Sequence, residues 1–166
     1  MNLSETITSE LQREAVSTRN LLSRVPTDKL SWTPHSKSMT LGGLASHVAG
    51  IPGAITNFGS TDFRDVESMT PPKQFASTEE IVAAFDEGVA TAVSSIGAMD
   101  DQALLKEWSF RKGGQPIMTL PKIGLFRVIL LNHLYHHRGQ LSVYLRLLDV
   151  PVPSIYGPSA DENPFA

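Results

Sequence analysis

The sequence predicts an all-α protein, a four-helix bundle with a long crossover between its second and third helices. Three observations lead there. Four segments repeat apolar residues at steps of three or four. Strand-like alternation is almost absent. The connection over residues 59–76 is longer than a tight turn between antiparallel neighbours needs, so the helices it joins are expected to lie parallel.

The first helix is predicted over residues 2–25. Asn2 and Glu5 stand at the spacing of a capping pair. Ile7, Leu11, Ala15, Thr18, Leu22 and Val25 make one stripe, and Pro26 is placed to stop it. After a loop holding Trp32, Pro34 and His35, a second helix is expected from the cap Thr40, with Leu44, His47, Val48, Ile51, Ile55 and Phe58 on one face. Gly42, Gly43, Gly50, Gly53 and Pro52 make it weak by propensity. Its stability must come from packing, and its small residues allow a neighbouring backbone to approach closely. The third helix starts at Ser77, with Glu80 completing a capping box, and buries Val82, Phe85, Val89, Ala92, Ile96 and Met99. Residues 100–121 read as irregular. Gly113-Gly114 there suggests a small hairpin, against which Pro116 argues. The last helix is predicted over residues 122–148, with the stripe Phe126, Leu130, His133, His137, Leu141, Tyr144 and Leu148. The proline-bearing tail, residues 149–166, should pack extended on the surface.

Composition limits the function. The chain has 166 residues and a net charge of −3, which suits one domain spanning residues 1–166. The absence of a basic run argues against nucleic acid as partner. The longest apolar stretch falls short of a membrane span, and no secretory signal is visible at the N-terminus. Cysteine is absent, which removes disulfides, thiolate metal sites and cysteine nucleophiles. A cytoplasmic location is the expectation.

The chemistry rests on histidine. His133 and His137 are one helical turn apart, about 40° in angle, and both fall in the apolar stripe. His47 falls in the stripe of the second helix. Three imidazoles from two helices would converge on one point and suit a divalent metal ion. A metal-free core in which the histidines satisfy one another is the competing reading. His136, about 60° from His133 on the other side, rivals His137 as the second member of the pair. His35 reads as a solvated loop residue. No second catalytic group stands out. Gln140 and Tyr144 lie near the same face and either orient a ligand or serve as surface amide and core aromatic. Arg138 should point away from the histidines and pair with Asp161 or Glu162 to fasten the tail. Trp32 and Tyr156 either line a pocket mouth or, the favoured reading, pack the loop and the tail onto the bundle.

The run His133-Leu-Tyr-His-His137-Arg138-Gly139-Gln140 resembles the HxxxHRGQ pattern of the DinB/YfiT-like family. The ending Asp149-Val-Pro-Val-Pro-Ser-Ile-Tyr156-Gly157-Pro158-Ser159-Ala160-Asp161-Glu162 is similar to that family's C-terminal ending. Trp32-Thr-Pro34 followed by Leu44-Ala-Ser-His47-Val48 resembles its tryptophan–proline turn and first metal histidine. The middle of the chain, residues 59–121, matches only in layout. The resemblance implies an up-down-down-up bundle, often a homodimer, with a divalent metal on His47, His133 and His137. Zinc and nickel both suit imidazole. Three neutral imidazoles leave a coordination position open for water or a substrate atom. Family members include transferases and isomerases that use low-molecular-weight thiols such as bacillithiol, mycothiol or glutathione. The resemblance therefore implies thiol S-transfer on a small-molecule substrate. Metal-dependent hydrolysis and a metal-binding module without turnover are the alternatives.

Overall fold

Reciprocal capping starts the chain. In the computed structural model, which describes residues 2–165, the Asn2 side chain accepts from the Glu5 N–H at 2.8 Å and the Glu5 carboxylate accepts from the Asn2 N–H at 3.1 Å. Helix α1 (Leu3–Leu22) buries Ile7, Leu11, Thr18 and Leu22 as its stripe requires. Helix α2 (Leu41–Gly59) is capped by Thr40, whose hydroxyl accepts from the Gly43 N–H at 3.0 Å. Helix α3 (Thr78–Gly97) is capped by Ser77. The expected capping box there is not closed. Ser77 Oγ accepts from the Glu80 N–H, but the Glu80 carboxylate reaches one residue further back, to the Ala76 N–H at 3.0 Å.

α2 and α3 lie side by side in the same direction. Ser46 Oγ accepts from the Phe75 N–H near their starts, Gly53 meets Gly88 at mid-length, and Gly59 lies against Met99 at their ends. A Cβ on Gly88 would stand 2.9 Å from the Gly53 backbone nitrogen. The glycines that weaken α2 locally are thus what permits this close approach.

The last helical run is not one regular helix. It comprises α5 (Lys122–Leu125), a π-helical stretch (Phe126–Asn132) and α6 (His133–Leu147). Bonding from i to i+5 takes in an extra residue per turn and shifts the angular phase of every later residue in the run. The fully buried face of α6 consequently runs through Leu134, Arg138, Leu141 and Leu145, while His133 and His137 stand half-buried at its edge. α6 runs with α1, as contacts from Glu10 to Arg127 and from Glu14 to Arg138 show. It runs against α2, where Gly59 meets Phe126 and Met39 meets Tyr144.

The expectation of a purely helical fold needs correction. The protein is mostly helical, but a three-stranded sheet of order β1-β2-β3 joins β1 (Phe63–Asp65), β2 (Glu107–Lys112) and β3 (Gln115–Pro121). β1 pairs parallel to β2, and β2 pairs antiparallel to β3. Gly113 and Gly114 turn the hairpin with φ of +55° and +78°, a region open to glycine at little strain. Pro116, which cannot donate to a ladder, is accommodated beside a bulge at Phe110/Arg111. The short helix α4 (Asp101–Leu105) precedes β2. The sheet is tied to the end of α2 by Trp108, fully buried, whose indole N–H donates to the Phe58 carbonyl at 2.9 Å.

The tail is fastened differently from expectation. Arg146 pairs with Asp161, and Arg24 with Glu162. Arg138 instead turns to α1. It is 1% exposed and donates to the Glu14 carboxylate at 2.8 Å, Ser17 Oγ at 2.9 Å and Thr18 Oγ1 at 3.1 Å. The tail reaches this cluster through the Tyr156 hydroxyl, 2.5 Å from Arg138 and 2.8 Å from Glu14. Among the described residues, no helix is long and apolar enough to cross a membrane.

Candidate metal centre

Successive residues on α6 serve opposite sides of the molecule. His137 faces α2 and Arg138 faces α1, as the roughly 100° per residue of a helix dictates. His133, one turn before His137, points the same way and meets His47 from α2.

The three Nε2 atoms converge. His133 Nε2 lies 3.2 Å from His47 Nε2 and 2.8 Å from His137 Nε2. A tetrahedral ion with nitrogen ligands at 2.0–2.1 Å sets neighbouring nitrogens about 3.3 Å apart, close to what is seen. The structure therefore brings together the three histidines singled out from the sequence. It leaves out His136, which is exposed and meets the His137 ring edge-on at 4.8 Å between centroids. His35 stays in its loop, where its Nδ1 accepts from the Lys37 N–H.

The outer nitrogens explain how the rings are aimed. His137 Nδ1 is 2.7 Å from Gln140 Oε1. Since that oxygen only accepts, Nδ1 carries the proton. His133 is held by a backbone hydrogen bond to Ile129, in the π-helical stretch that precedes it. With both outer bonds made by N–H groups, the two Nε2 atoms present lone pairs to each other. Each imidazole nitrogen has one in-plane site, so three that face one point cannot all satisfy one another. A cation relieves all three together. His47 is pushed down to about 4, first by burial and then by the neighbouring His137 and His133. His133 and His137 are also lowered, burial again being the main cause. The cluster is therefore uncharged at neutral pH, the state in which imidazole binds metal.

Among the described residues no aspartate or glutamate joins the group. A structural zinc site is normally closed by four protein ligands, so three histidines leave a side open. His47 and His133 both line a pocket of about 540 Å³. Ile51, Ile55, Phe58, Phe110 and Ile129 give it an apolar surface.

The match to a family model decides the relationship. The DinB family model matches residues 1–164. The chain belongs to the DinB family. YrdA of Bacillus subtilis (strain 168) is 28% identical over 153 residues, covering 90% of this chain and 85% of the relative. A DinB-like protein from Bacillus cereus ATCC 10987 has the same fold, with a TM-score of 0.74 at 23% identity over 92% of this chain and 97% of that one. The DinB-like YjoA of Bacillus subtilis superposes with a TM-score of 0.68 at 17% identity, covering 90% and 97%.

Sequence reasoning left the role of Gln140 open between orienting a ligand and being a surface amide. Its place is to orient His137, and the signal was its spacing of three residues from that histidine. Tyr144 is turned to Trp32, edge to face at 5.7 Å, and to the Met39 carbonyl. Phe110, Arg64 and Lys73 on the pocket wall were not singled out, because they come from the sheet and the crossover.

Proposed function

We propose that this DinB protein is a divalent-metal-dependent enzyme. Its ligands are His47, His133 and His137, and its substrate is a small molecule bound in the adjoining pocket. One observation carries the reading: three Nε2 atoms of uncharged imidazoles face one point, and two of the rings are locked by outer N–H bonds. Held there, zinc or nickel supplies a Lewis acid that favours the deprotonated form of a bound water or thiol.

The residues supply the rest. Gln140 and Ile129 fix the ring orientations, so that little reorganisation accompanies loading. The apolar wall keeps water off the open side, where electrostatic effects are stronger than in bulk. Among the described residues no carboxylate lines the pocket, so the deprotonated reactant meets no negative neighbour there. The nucleophile is proposed to be a low-molecular-weight thiol, on the strength of the HxxxHRGQ resemblance.

Elemental analysis and turnover test this together. Purified protein should carry about one zinc or nickel per chain. His133→Ala and His137→Ala should lose it while keeping a helical circular dichroism spectrum, and His136→Ala should keep it. Metal-loaded protein should accelerate conjugation of bacillithiol or glutathione to monochlorobimane over chelated protein. Metal retained by His137→Ala but lost by His136→Ala would reject the ligand set. Equal rates with every thiol, with and without metal, would reject S-transfer.

A further inference from the structure

The pocket has two charged features that the metal centre does not use. Arg64, on β1 beside Phe110, places its guanidinium carbon 5.9 Å from the centroid of the Phe58 ring. Its Nε is buried and has no hydrogen-bond partner. Lys73 places its Nζ 5.0 Å from the Phe75 ring centroid. Neither cation forms an ion pair with any described carboxylate, and the pocket is lined by both and by no described acidic residue.

The two sit at different ends. Phe75 is bonded through its N–H to Ser46, next to His47, so Lys73 belongs to the histidine end. Arg64 stacks at Phe58. His47 and Phe58 are eleven residues apart on the same face of α2, about 16 Å at 1.5 Å per residue. The wall between them, Gly50, Ile51, Ala54 and Ile55, offers no charge. The Nε N–H is buried without a partner, which is unfavourable, while Arg64 as a whole is half-buried and its planar fork matches a carboxylate bidentately. A phosphate would call for more donors than this end of the pocket presents.

We propose that the pocket takes an elongated small molecule whose carboxylate is held by Arg64 while its reacting end lies at His47 and His133. This deepens the proposed function and rests on it for the histidine end alone. The carboxylate end is independent of any metal, and the test keeps the two apart.

The probe is octanoate against octanamide, titrated calorimetrically into protein freed of metal with a chelator at pH 8. Octanoate should bind at least about tenfold more tightly, the usual effect of a charge-assisted hydrogen bond. Arg64→Gln should erase that preference and leave octanamide affinity unchanged. Lys73→Gln should keep the preference. Arg64→Lys, which retains charge without the fork, should keep only part of it, and it serves where Arg64→Gln does not fold. No preference in the native protein, preference surviving in Arg64→Gln, full preference in Arg64→Lys, or loss confined to Lys73→Gln would each overturn the inference. In zinc-loaded protein, 8-mercaptooctanoate should bind more tightly than octanoate, and His133→Ala should remove that gain. If the gain is absent while the carboxylate preference holds, the metal reading fails and the Arg64 site stands.

Discussion

Replacing Arg138 by methionine is expected to destabilise the protein severely without touching the histidines. Methionine keeps most of the apolar stem, so the loss is mainly electrostatic. In the native protein the Arg138 and Glu14 side chains are 2% and 11% exposed and meet at 2.8 Å. Removing one partner of such a pair leaves the other charge buried, which costs about 3–5 kcal/mol. Ser17, Thr18 and Tyr156 lose a shared donor as well. At about 2–4 °C per kcal/mol for a chain of this size, the melting temperature should fall by roughly 6–20 °C. Urea unfolding followed by circular dichroism measures the free energy. The double variant Arg138→Met/Glu14→Gln should recover roughly 1–3 kcal/mol, because the uncompensated charge is gone. A loss below about 1 kcal/mol, or a double variant no more stable than the single one, would refute the reasoning. The metal content of Arg138→Met should stay native, since Arg138 faces α1 while His137 faces α2.

Four further outcomes are expected. Gly88→Ala should destabilise by about 1–3 kcal/mol, because its Cβ would stand 2.9 Å from the Gly53 backbone nitrogen and force α2 and α3 apart. Gly139→Ala, with open space around it, should gain up to about 1 kcal/mol in helix propensity; thermal melts decide both. Gln140→Leu should weaken metal binding about 10–100-fold by releasing His137 Nδ1, read by competition with a chromophoric chelator, and unchanged affinity would remove Gln140 from its role. For the metal-free protein, the folded-state value of His47, about 4, lies below its ordinary 6.5. The unfolded chain therefore binds more protons between these values, and stability should fall as pH drops from about 6.5 toward 4. Urea midpoints that rise over that interval would contradict this.

Much of the fold was legible because its signals are local. The Asn2–Glu5 cap, the stripe of α1 and the positions of Thr40 and Ser77 need only neighbours three or four residues away. The parallel course of α2 and α3 followed from the length of one connection. β1 was not legible: three residues, Phe63 to Asp65, are too few to show a period, and they become a strand only because β2 lies alongside. The hairpin was foreseen at Gly113-Gly114, yet Pro116 obscured it, since a bulge that absorbs a proline exists only in the paired sheet.

The site divides in the same way. One-turn spacing and the apolar stripe nominated His133 and His137, and the stripe of α2 nominated His47. The stripe favoured His137 over His136, although both are within reach of His133 on an isolated helix. The position of α2 brings His47 against His137, with ring centroids 4.5 Å apart, while His136 stays exposed. Arg138 shows the limit most clearly. Its helix position, turned away from the histidines, suggested an ion pair with Asp161 or Glu162 in the tail, whereas packing against α1 placed it beside Glu14 in the interior. Short-range chemistry is written in residue spacing. Which face of a helix meets which partner is decided by how all the helices share one core, and no single segment carries that information.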